Sequence, residues 1–352
     1  MNGRFRFLSV ILFLLGAGFR TGAEDRLFFD IVPRVETSAR FGSEEGYKPN
    51  FGYTSLYSSI GCRITDKFGV KMNNRWLTTN PSALYKGIGN TRDVNWLDIL
   101  DFSYNTGRWH FDAGKLYIRF GGFEFEAPNW DFHHNLESNC WMNLQPYTWG
   151  ATVGYDVAYG NRLSINVNNS PFSGTLFKNM LLAYSFAWDG QVGPVQTYWG
   201  FTLLEKEDRS LVKVLGLGQR LTLYDDYTAE LDYTVKSDDW NTFFSRESSL
   251  VLKLAYEGQK WFQLHLKGGW EFVTENESVM TPELDGPSFV GDFIVPILLE
   301  SGRPYFFGGF YAYFYPLKNN KNLRLHVSAA ANNYYQGAAV NAGLLYRIDF
   351  SL

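Results

Sequence analysis

Cysteine, charge and long apolar runs are all scarce in this chain. Two cysteines among 352 residues exclude a disulfide scaffold. Charged residues make up only 19 % while hydrophobic residues reach 45 %, which excludes a disordered chain. One long apolar run exists, at the N-terminus, and that excludes a polytopic helical membrane protein. The formal net charge of -4 offers no basic footprint for nucleic acid. What is abundant is aromatic: 30 Phe, 22 Tyr and 11 Trp, an excess that needs a physical reason.

The N-terminal run reads as an address. Arg4 and Arg6 form a positive start, Phe7 to Phe19 an apolar stretch, and Thr21-Gly22-Ala23 a small-residue cleavage site. Residues 1–23 therefore read as an export signal, cleaved near Ala23, and 24–352 as the mature domain. No cysteine follows the apolar stretch, which argues against a lipid anchor. An exported chain with no second apolar span points to the periplasm, the outer membrane or the medium.

The mature chain alternates with period two. Phe29, Ile31, Val35 and Ala39 alternate with Asp30, Arg34, Glu36, Ser38 and Arg40, with Pro33 on the apolar set. Tyr147, Trp149, Ala151, Val153, Tyr155, Val157 and Tyr159 form a second set, and Phe262, Leu264, Leu266, Trp270 and Phe272 a third. Many runs reach the length that crosses a bilayer with tilt, and their apolar sets carry almost no charge. Trp and Tyr bracket them, as at Trp149 and Tyr159, which suits rings with an apolar body and a wet tip at a membrane interface. The polar sets suit a wet interior, so Leu264→Arg is expected to harm assembly more than Lys267→Ala.

Connections alternate in length. Thr65-Asp66-Lys67, Asn105-Thr106-Gly107, Gly160-Asn161 and Asp225-Asp226 are short; 42–51, 78–95, 121–146 and 170–178 are long. Seventeen candidate strands emerge, an odd number that cannot close with both ends on one side. The weakest is 289–299, with Pro296 inside it; treating 274–303 as one loop leaves sixteen. The expected fold is an all-β, transmembrane antiparallel up-and-down β-barrel of about sixteen strands, with about 14 or 18 as neighbouring solutions. Its long loops are 121–146 and 274–303.

The stretch 97–124, with Gly114-Lys115 and then Phe120-Gly121, resembles a segment of Gram-negative outer-membrane porins of the phosphate-selective O/P and OmpL-like families. The final strand, Gly343 to Leu352, resembles the signal read by the barrel-assembly machinery, though it ends in Leu352 with Phe350 two residues earlier. The resemblance implies a location in outer-membrane lipid, passage of small hydrophilic solutes and a homotrimer as candidate assembly. The acidic balance of the chain does not carry the anion specificity with it.

A bulge near Gly114 would place Leu116, Ile118 and Phe120 outward and turn Lys115, Tyr117 and Arg119 into the lumen. The following segment carries Glu124, Glu126 and Asp131, so a basic wall would face an acidic inward loop and form a constriction. A solvated external loop is the bland alternative. Arg34, Arg40, Lys71 and Arg75 are lumen candidates for binding an anionic solute, or simply wall charges paired with groups such as Glu36. His133-His134 lacks the companions of a metal site, so neither metal nor cofactor is expected. His326 and Ser328 share a face, but no orienting acid or oxyanion hole is identifiable, so no catalytic residues and no enzyme are expected. Gly216 and Gly218 sit in a strand and open no nucleotide-binding helix. Cys62 is expected to face lipid, far from Cys140 in the loop. The leading function is a passive outer-membrane pore. The alternatives are a transporter for apolar substrates, or a structural or secretion-accessory barrel.

Overall fold

The computed structural model describes residues 27–41, 55–78, 97–126, 136–142, 147–173, 180–274, 299–317, 320–334 and 337–351. The proposed leader 1–23 lies outside them. Up to the sixteenth, each strand hydrogen-bonds antiparallel to the next in sequence. The series runs β1 (Leu27–Phe41), β2 (Ser55–Arg63), β3 (Phe68–Thr78), β4 (Leu97–Thr106), β5 (Trp109–Tyr117), β6 (Tyr147–Ala158), β7 (Asn161–Asn169) and β8 (Leu182–Val192). It continues through β9 (Val195–Glu205), β10 (Leu211–Leu223), β11 (Tyr227–Ser237), β12 (Glu247–Tyr256), β13 (Phe262–Val273), β14 (Tyr305–Phe314), β15 (Leu323–Asn332), β16 (Ala338–Tyr346) and β17 (Ile348–Ser351). The last two are one crossing interrupted at Arg347, and both pair with β1. The result is a closed barrel of sixteen crossings, with no open edge.

The interruption has a local cause. On one register Ile31 faces Ile348 and Arg34 faces Leu345, and the intervening positions, Pro33 included, are unpaired. Proline has no N–H to give the ladder. The weak candidate 289–299 lies, Leu299 apart, outside the described residues, but β13 pairs directly with β14, so no strand intervenes between them.

Side chains alternate across the wall as the period predicts. On β13, Gln263, His265, Lys267 and Glu271 are buried in the interior while Leu266 is 48 % exposed outside. On the final crossing Leu344, Tyr346, Ile348 and Phe350 are all exposed. At the end with short turns, rings pair across neighbouring strands: Phe29 with Phe350 at 4.8 Å, Trp109 with Tyr155 at 4.7 Å, Trp188 with Trp199 at 5.0 Å, Tyr227 with Tyr256 at 5.1 Å. They form a girdle at one level of an apolar exterior, and that accounts for much of the aromatic excess.

Candidate functional site

The connection from β5 to β6 enters the barrel. At Gly121 and Gly122 the chain lies flat on the inner faces of β9 and β10, and Gly122 N–H donates to the Tyr198 carbonyl at 3.0 Å. Only glycines permit this approach: a Cβ on Gly200 would stand 2.5 Å from the Arg119 carbonyl oxygen, and one on Gly216 2.5 Å from that of Phe120. Gly121 itself has φ +84°. Gly216 and Gly218, which mark no nucleotide site, thus belong to a seat for the inner loop; glycines at inward positions of adjacent strands are the signal for it. Gly200→Val is expected to push the segment off the wall at a cost of about 1–3 kcal/mol. Protease should then cut the loop while the barrel stays intact; a loop as resistant as in the parent chain would count against the seat.

Beyond the glycines the loop is tied to the wall by charge. The Asp232 carboxylate accepts from the N–H groups of Phe123 (2.8 Å) and Glu124 (2.6 Å). Glu124 accepts from Ser138 N–H at 2.8 Å and pairs with Lys267 of β13 at 2.9 Å; Lys267 also holds Glu137. The Cys140 N–H, in the short helix α1 (Asn139–Met142), donates to Glu271 at 3.0 Å. Burial pushes the Cys140 thiol up to about 12, which disfavours the reactive thiolate, and neither cysteine is in a disulfide. Ile118 and Phe120, fully buried, pack on Ala183, Leu204, Val212 and Val214 inside the barrel. Leu136 packs on Tyr311, Tyr313 and Ala330. The interior on the β8–β15 side is therefore a packed core.

The β1–β6 side remains open. A cavity of about 610 Å³ lies between that wall and the loop. Its acidic lining residues are Asp30, Asp98, Asp101, Asp112 and Glu126, and its basic ones are Lys71 and Arg119. Tyr57, Tyr117, Tyr147 and Tyr198 supply rings. Arg119 is engaged by Asp189 at 2.9 Å. Asp30 is engaged by Arg347, at 2.9 and 2.8 Å. The Glu126 side chain is open to the cavity but enclosed by the barrel, and this loss of bulk water pushes its carboxyl up to about 7 against the pull of Arg220.

No protein-family model and no curated protein matches the chain. Solved structures do. A loop L8 deletion mutant of OmpT, an outer membrane protein of Vibrio cholerae, superposes with TM-score 0.57 at 8 % identity, over 92 % of this chain and 100 % of that one. Outer-membrane expressed OmpT gives 0.54 at 8 % identity, over 94 % and 100 %. An in-vitro folded trimer form gives 0.52 at 10 % identity, over 93 % and 100 %. The fold is that of an outer-membrane β-barrel. At these identities the likeness concerns architecture alone.

In this barrel the predicted residues separate. Arg119, Glu126 and Lys71 line the cavity. Lys115 does not: no register shift occurs at Gly114, and the buried Lys115 ammonium donates to the Leu97 carbonyl. The bulge lies in β4, where Asp98 is skipped between Asn73–Ile99 and Asn74–Leu97. Leu116 lines the cavity, and Ile118 and Phe120, expected outside, turn inward because the chain leaves the wall after Tyr117. Glu124 is consumed in tying the loop, and Asp131, like His133-His134, lies outside the described residues. Arg34 is locked to Glu36, which also meets His326 Nε2 at 2.8 Å. Arg40 and Arg75 sit on β1 and β3, their side chains outside the described set. Lys267, expected to tolerate truncation, is instead the centre of a buried ion cluster. The expected basic wall facing an acidic loop is replaced by a largely acidic wall, which Arg119 and Glu126 of the inner segment face across the cavity.

Proposed function

We propose that the chain forms a water-filled channel in the outer membrane for passive diffusion of small hydrophilic solutes, with a preference for cations, and that it is not an enzyme. The observation that carries the reading is the cavity beside the inner loop, whose acidic lining residues outnumber its basic ones five to two. Charge of one sign on a narrow, low-dielectric passage concentrates counter-ions of the other. The phosphate-selective character of the families resembled by 97–124 finds no support in this lining. An apolar substrate is disfavoured for the same reason.

Planar-bilayer recording under a KCl gradient tests this, with a reversal potential on the cation side expected. A silent bilayer removes the channel reading, and an anion-side potential removes the sign. Glu126 adds a pH dependence. Above pH about 7 its carboxylate contributes a negative charge; as pH falls through that value it takes a proton, and cation preference should weaken. Glu126→Gln should erase that step and leave conductance in place. A step of equal size in the variant would assign it to another group.

A further inference from the structure

The polar lining of the cavity contains groups that water-filled passage alone does not require. Asn74 lines it and is only 1 % exposed, yet neither its Nδ2 nor its Oδ1 has a hydrogen-bond partner. It stands beside the Asp98 bulge, which disturbs the local ladder. The Tyr117 hydroxyl and Asp101 Oδ1 are also enclosed and unpartnered. Buried amides, hydroxyls and carboxylates without partners are costly, and in native sites such groups mark a place where a ligand or ordered water completes them.

The charges around them leave a surplus. Asp101 lies opposite Lys71 in register, and Asp112 lies one step along on β5, opposite Ser103. Arg119 is paired with Asp189, and among the described residues neither Asp112 nor Glu126, both in the cavity lining, makes an ion pair. Among the described residues no group of three His, Cys, Asp or Glu side chains converges well enough to hold a metal ion. Separated carboxylates, a donor–acceptor amide and tyrosine rings suit a larger, softer cation that also carries hydroxyl groups.

Resting on the channel reading above, we propose that this part of the lumen is a binding subsite for a hydroxylated organic ammonium ion of amino-sugar type. The ammonium group lies towards Asp101 and Asp112, the hydroxyls reach Asn74 and the Tyr117 hydroxyl, and the ring face lies against Tyr57 or Tyr147. A simple polyamine would satisfy the carboxylates but offer no acceptor to the Asn74 Nδ2, and a neutral sugar would forgo the charge.

The test is blockade of single-channel current by added glucosamine, with N-acetylglucosamine and MgCl2 as controls, on the full-length channel. Glucosamine is expected to block about tenfold more tightly than N-acetylglucosamine, since a charge-assisted hydrogen bond is at stake. Asp101→Asn with Asp112→Asn should abolish the difference, and Asn74→Ala should weaken block by glucosamine. A conducting channel with no preference for the amine, or one blocked as tightly by Mg²⁺, overturns the subsite and leaves the channel reading standing. Should the bilayer be silent, saturation-transfer NMR of glucosamine with the detergent-folded barrel decides the subsite independently. Transfer that depends on Asp101 and Asp112 supports it, and none overturns it.

Discussion

Lys267→Ala is expected to release the inner loop and to raise single-channel conductance severalfold. The ammonium sits between Glu124, at 2.9 Å, and Glu137, and all three side chains are at most 7 % exposed. Removing one partner of a buried ion cluster leaves the others charged and unpaired, which costs about 3–5 kcal/mol. That cost falls on the loop: the chain can relieve it by moving Glu124 and Glu137 into water, whereas the strand ladders on either side of β13 involve the backbone alone. The loop should become cleavable by protease in the folded barrel. Deleting 123–141 should reach the same open state. The triple variant Lys267→Met, Glu124→Gln, Glu137→Gln removes the stranded charges and should restore part of the protection. A resistant loop with parental conductance in Lys267→Ala would show that the glycine seat and Asp232 suffice to hold it.

Leu266→Arg should impair assembly more than any single change on the lumen side of the open cavity. Leu266 faces outward in mid-strand, flanked in register by Leu254 and Phe310, themselves 44 % and 37 % exposed. An Arg near the bilayer midplane on the outer face of a barrel costs about 2–4 kcal/mol. Lys71→Ala, on the inner face and open to water, is the matched control. Urea unfolding of the two variants in lipid vesicles reads the difference directly. Equal midpoints would reverse the assignment of inside and outside for the whole wall, because the side chains of one strand share a single phase.

How much of this was legible beforehand follows from how far apart the interacting groups are. Alternation at Phe262 to Phe272 or Ala342 to Phe350 is a local property of a pleated strand. Which set meets lipid can therefore be read from a few consecutive residues. Loop lengths settled the number of crossings, because an antiparallel barrel whose ends lie together needs an even count, and the segment after β5 was too long and too aromatic for a simple turn. The inner arrangement was a different matter. Gly200, Gly216 and Gly218 look like weak strand residues until Gly121 and Gly122 lie on them. Lys267 looks like a solvated wall charge until Glu124 arrives from a loop far away in sequence. Glu36 meets His326 across a separation of 290 residues only because β16 and β17 close on β1. A strand pattern specifies the face of each side chain, and closure of the barrel then specifies which faces look at one another. The charge of the cavity, the seat of the loop and the groups left without partners are all decided at that second step, by tertiary structure, because they depend on distances across the lumen that no local pattern encodes.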